Sequence, residues 1–286
     1  MDSEEINHPD EDLELPRLMG IKFAVLLMFG GWGVGFGAAG IASYFLGMQG
    51  TTAVGNTVGL CLMTFVGVRF SARPAREVLS LKSFSPWLIP PMVLMAFSGS
   101  FLVSEVGNLT EEILPVPQEL KKMFLGILQA DGVEQFLQRA ALLSLMAPVT
   151  EELMFRGVIM FGLIRVYGGY RGILISSICF GVFHLIPWQA VGATLIGGLL
   201  GVMVYRTGSI FAGMAMHAIW NLFPLIVISA FHDMAPEGYG FDSEKVTHVP
   251  IPLLILSGGL FYFAFKRFWK LSAQPNEKGF EIAEGC

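Results

Sequence analysis

Charge is scarce in this chain. Of its 286 residues only 14% are Asp, Glu, Lys or Arg, against 53% that are hydrophobic. That balance excludes a soluble domain of this length and marks an integral membrane protein. Cysteine is nearly missing too: Cys61, Cys179 and Cys286 are too few and too scattered for a disulfide framework or a zinc cluster. Cys61 and Cys179 fall in apolar stretches and are expected to be small core residues, and Cys286 lacks the three following residues of a prenylation signal. The start of the chain lacks basic residues. Met1 to Pro16 hold Asp2, Glu4, Glu5, Asp10, Glu11, Asp12 and Glu14 but no Lys or Arg, which excludes a secretory signal peptide and predicts an acidic cytoplasmic tail over residues 1–17. The net charge of −5 comes largely from the ends, and no nucleic-acid partner is expected.

What the chain has instead is long apolar runs without strand-like alternation, so helices rather than a closed barrel satisfy the backbone in lipid. The expected fold is an all-α, polytopic transmembrane bundle of about eight spans, at roughly 18–46, 52–70, 86–104, 136–163, 172–188, 190–205, 208–231 and 249–269. The sixth is short enough to be tilted or re-entrant. Between spans three and four, Glu105 to Gln135 mix charged and apolar residues and read as an interfacial amphipathic segment. Residues 18–135 are thus N-terminal spans plus this segment, 136–231 a catalytic membrane core, and 232–286 a last span and short tail.

Lys and Arg cluster in alternate loops: Arg69, Arg73, Arg76 and Lys82; Arg165 and Arg171; Arg206; and Lys266, Arg267 and Lys270. By the positive-inside rule these face the cytoplasm, as do both termini. In the first span Gly30, Gly31, Gly33, Gly35, Gly37 and Gly40 offer small residues for close helix packing. Gly35 to Gly40 also satisfy GxGxxG, but inside a membrane helix that pattern has no strand before it and no nucleotide to bind.

Ionisable groups at membrane depth are costly and are read as functional. Span four carries Glu151, Glu152 and Arg156; span five carries Phe180 and His184; span seven carries His217 and Asn221. Glu152 and Arg156 lie four apart and can pair, whereas Glu151 points about 100° away and stays available. A buried salt bridge alone would account for Glu152 and Arg156 but not for a second carboxylate. Counting about 1.5 Å per residue from the basic anchors puts Glu151 ~21 Å, His184 ~20 Å, His217 ~17 Å and Asn221 ~22 Å deep. One shared level suits a single hydrolytic site. There Glu151 takes a proton from water held by His184, and His217 with Asn221 donates to an oxyanion. No serine, cysteine or paired-aspartate nucleophile accompanies them.

These residues spell EExxxR, FxxxH and HxxxN in order, at Glu151 to Arg156, Phe180 to His184 and His217 to Asn221. In this the chain resembles the CAAX-protease and bacteriocin-processing family of intramembrane glutamic endopeptidases, similar to type II CAAX prenyl endopeptidases. The resemblance covers about Phe136 to Ile228. It implies that Glu151 and His184 activate water and that His217 and Asn221 stabilise the oxyanion, with Glu152, Arg156 and Phe180 supporting. No cofactor is expected. Zinc at the Glu/His site is the runner-up, since such donors could ligate it although HExxH is absent.

The implied activity is cleavage of a membrane-associated protein or peptide, with or without a lipid modification, in a prokaryotic inner membrane. Two other classes share a buried Glu/His set: a proton-coupled transporter and a non-catalytic membrane scaffold. The absence of an evident inverted repeat counts against the transporter.

Overall fold

A computed structural model describes residues 19–231, 234–240 and 245–272; the acidic tail and Cys286 lie outside these residues. Among the described residues every regular element is helical. We label the main helices α1 (Ile21–Ala42), α2 (Met48–Phe70), α3 (Ile89–Ile113) and α4 (Gln118–Leu128). A continuous rod, α5, runs through Val133–Arg139, Ala140–Met146, Ala147–Glu152, Leu153–Ile159 and Met160–Tyr167. It is followed by α6 (Gly169–Phe183), α7 (Pro187–Thr207), α8 (Ile210–Ala230) and α9 (Ile251–Leu271).

Among the described residues six helices are long and apolar enough to cross a bilayer: α1, α2, α3 with the turn before it, α7, α8 and α9. The sixth expected span, read as short, is α7 and runs 21 residues. The short one is α6, whose 15 residues reach only about 22 Å against a hydrocarbon core of about 30 Å. It stops early for a local reason. Leu185 has φ +59° and Pro187 opens α7, so the helix cannot continue past Phe183 and His184 becomes its cap. Glu105 to Gln135 also divides differently from the sequence reading. Its first part extends α3 to Ile113, and only Gln118–Leu128 forms a separate amphipathic helix, tied down by a buried Lys121–Glu111 ion pair.

Two apolar cores fill the bundle. One joins α5 to α1, α2, α6 and α7 around Phe155, Phe161 and Leu60; the other joins α3, α7, α8 and α9 around Met95, Leu200 and Phe268. Glycine does set the α1–α2 approach, as expected, but only on one side. A Cβ on Gly55 would lie 2.7 Å from the Gly35 carbonyl, while Gly33, Gly37 and Gly40 meet nothing. Cys179 is buried as expected, whereas Cys61 is exposed on α2. The basic loops gather at one end of the bundle. There the Ser80 and Lys82 carbonyls receive the start of α8, and Arg206 donates to the Trp269 carbonyl and to Ser272.

Candidate active site

The middle of α5 is not an ordinary α-helix. Ala140–Met146 and Leu153–Ile159 are π-helical, each of 7 residues, and they bracket the Glu151–Glu152 pair. In the first stretch the Ala147 N–H reaches back five residues to the Leu142 carbonyl. The next carbonyl in that register, Leu143, would bond the nitrogen of residue 148, but Pro148 has no N–H. Asn221 fills the gap: its Nδ2 donates to the Leu143 oxygen at 2.8 Å. A carbonyl can only accept, so this contact fixes which way the Asn221 amide faces and leaves its second N–H free.

Glu152 is fully buried, and two donors hold one of its oxygens. Arg156 Nη1 donates to its Oε1 at 2.7 Å, and His217 Nδ1 donates to the same oxygen at 2.9 Å. Arg156 Nη2 goes on to the Gly197 carbonyl at 3.2 Å, and the guanidinium lies 4.2 Å over the Phe180 ring. Glu152 Oε2 has no partner and sits beside Gly213, where a Cβ would come within 2.8 Å of it. The small residue therefore leaves just enough room for the carboxylate.

Glu151 points elsewhere. Its side chain keeps 15% of its surface, and its Oε2 lies 3.8 Å from His217 Nε2. The imidazole thus stands between the two carboxylates, bonded to the buried one through Nδ1 and facing the accessible one through Nε2. His184 belongs to the same cluster through Phe180, whose ring packs edge-on against both histidines at centroid distances of 4.9 and 5.8 Å. His184 Nδ1 donates to the Phe180 carbonyl at 2.8 Å, which leaves Nε2 as the free, lone-pair nitrogen of the neutral ring.

Glu151, Glu152, Arg156, His217 and Phe180 are thus in one contact network, with His184 attached through Phe180 and Asn221 one turn beyond His217 on α8. Sequence reading had paired Glu152 with Arg156 alone and missed its bond to His217. It also missed Gly197, Gly213 and Pro148. Gly213 could have been found: Gly213, His217 and Asn221 repeat every four residues on one face of α8. Trp220, between the two polar residues, packs on Gly99 of α3, where a Cβ would come 2.7 Å from the indole. Among the described residues no three His, Cys, Asp or Glu side chains converge as metal ligands would.

Residues 133–223 match a family model described as type II CAAX prenyl endopeptidase Rce1-like. The matched stretch runs from the first residue of α5 to just past Asn221 and holds every polar residue of the cluster. No curated protein and no solved structure matches the chain.

Proposed function

We propose that this integral membrane protein is an intramembrane endopeptidase, a reading supported by the match of residues 133–223 to the type II CAAX prenyl endopeptidase Rce1-like family model. Its water nucleophile is activated by Glu151 and His184. The observation that carries the reading is the 3.8 Å approach of His217 Nε2 to the Glu151 carboxylate while Nδ1 is anchored to Glu152. A base and a donor then stand side by side. Glu151 accepts a proton from water that His184 Nε2 helps to hold, and hydroxide adds to the scissile carbonyl. The developing oxyanion takes hydrogen bonds from His217 Nε2–H and from the free N–H of Asn221. For Nε2 to donate while Nδ1 donates to Glu152, His217 must be an imidazolium. The charges then balance, because Arg156 and His217 offset the two glutamates. Glu151 finally hands its proton to the leaving amine.

In this reading the substrate is a membrane-associated or lipid-anchored protein or peptide, the basic end of the bundle and both termini face the cytoplasm, the membrane is a prokaryotic inner membrane, and no metal takes part. The test is purified protein in liposomes carrying lipid-anchored peptides, with cleavage read by mass spectrometry. Cleavage by the wild type that is lost in Glu151→Gln supports the proposal. Proton or solute flux without cleavage would point to a transporter, and neither activity to a scaffold. Stoichiometric zinc that leaves together with activity on chelation would replace the metal-free mechanism.

A further inference from the structure

A cavity of about 350 Å³ opens at the basic end of the bundle, between the first turns of α3 and the last turns of α9, well apart in the fold from the polar cluster on α5. Trp87, Pro90 and Leu94 form one wall, Phe263 and Leu271 the other, and Ala264 lies at the floor. The recess has a local cause. Pro90 and Pro91 put compact rings on the first turn of α3, and Ala264, only 1% exposed, adds just a methyl group toward the gap.

The charge around this slot is of one sign. Arg267 lines it, is exposed, and forms no ion pair among the described residues. Lys266 and Lys270 flank it on α9, and neither α9 nor residues 86–101, the turn before α3 and its first half, carries a carboxylate. Arg206 stands behind, its guanidinium 3.8 Å over the Trp269 ring. Trp87 is 75% exposed at the rim, where indoles mark the headgroup level of a bilayer. An apolar slot closed by a cation with no carboxylate on it among the described residues fits a ligand that is anionic at one end and hydrocarbon at the other.

We propose that this cavity is a binding site for one anionic phospholipid, its phosphate on Arg267 and part of an acyl chain over Ala264. The site is separate from the endopeptidase reading and does not depend on it. Native mass spectrometry of the detergent-solubilised full chain, with equimolar phosphatidylglycerol and phosphatidylcholine, tests it. The wild type is expected to keep phosphatidylglycerol about fivefold more than phosphatidylcholine, as one extra cation contact would give. Arg267→Gln should abolish that preference while leaving apolar retention. Ala264→Phe should reduce retention of both lipids, and should it fail to fold, Leu94→Trp blocks the same slot from the wall. Equal retention of both lipids by the wild type overturns the proposal, as does a preference that survives both Arg267→Gln and the blocking variant. A dimer that the blocking variant dissociates would assign the slot to a second copy instead, and so would also overturn it.

Discussion

Two histidines in this protein each stand between two glutamates, and they have opposite fates. His217 contacts Glu152 at 2.9 Å and Glu151 at 3.8 Å; His248 contacts Glu105 at 2.8 Å and Glu112 at 3.2 Å. The His217 side chain keeps 6% of its surface and the His248 side chain 43%. At the exposed position water shares the load, and the three residues act as a clasp that fastens the loop before α9 to the end of α3. Val249 N–H and Asn108 both donate to Glu105 there. At the buried position the same residue types need a fixed cation behind them, and Arg156 provides it. A charge held dry at such cost is the one to suspect of chemistry, whereas the wet copy contributes little beyond holding a loop.

Removing the base should separate the two triads most. Glu151→Gln is expected to abolish cleavage with the thermal unfolding profile unchanged, whereas Glu112→Gln leaves cleavage intact. A Glu151→Gln enzyme that still turns over would end the comparison. Next, Arg156→Met strands the Glu152 carboxylate in the dry core. It should cost on the order of 3–5 kcal/mol in unfolding measurements, and Glu152→Gln in the same chain should recover much of it. No loss in the single variant would mean that Glu152 is not held as described.

His217→Gln should lower turnover by roughly 10²–10³-fold with binding of an uncleavable peptide unchanged, since it removes a donor needed after attack. A variant that loses peptide binding in step with turnover would argue against that role. Asn221→Ala should lower turnover as well and also cost about 1–3 kcal/mol, because the Leu143 carbonyl loses its donor. Stability equal to the wild type would show that water replaces the amide.

The smallest effect belongs to the exposed clasp. Hydrogen bonds that the ring donates to Glu105 and then to Glu112 lift the His248 pKa above its ordinary 6.5. The folded state therefore favours the imidazolium. Its contribution is complete below the unfolded value and fades as pH rises through the raised one. Hydrogen exchange at residues 245–249, relative to the intrinsic rate at each pH, should accelerate over that alkaline interval in the wild type and show no such step in His248→Gln. Tyr239 in the same loop does not confuse the reading, because burial pushes its phenol up to about 12.

The parts legible in the sequence were those with a large transfer cost. Eight apolar segments each became a helix, and Glu151, Glu152, Arg156, His184, His217 and Asn221 stood out because charged and polar groups at that depth are rare. What escaped depended on partners far away along the chain. Nothing near Asn221 tells that its amide is taken by a carbonyl 78 residues earlier. Nor does the spacing of Glu152 and Arg156 tell that His217 completes their pair. The end of α6 was misplaced because hydropathy does not register the left-handed turn at Leu185. The role of Glu105 and Glu112 was lost in a segment read only for its amphipathic average.

The wide turn at Ala140–Met146 accommodates surplus backbone, so it is a natural point for the chain to shed a residue. One deletion there would tighten the coil to the common pitch while Glu151 kept its bearing toward His217. Were the lost residue one of 140–143, Pro148 would deprive the Ser144 oxygen of its donor instead, and Asn221 would be left reaching for an acceptor that had rotated away. The carboxylate and carboxamide halves of the centre are thus tied twice, through the widened stretch of α5 and through the single turn of α8 that separates His217 from Asn221.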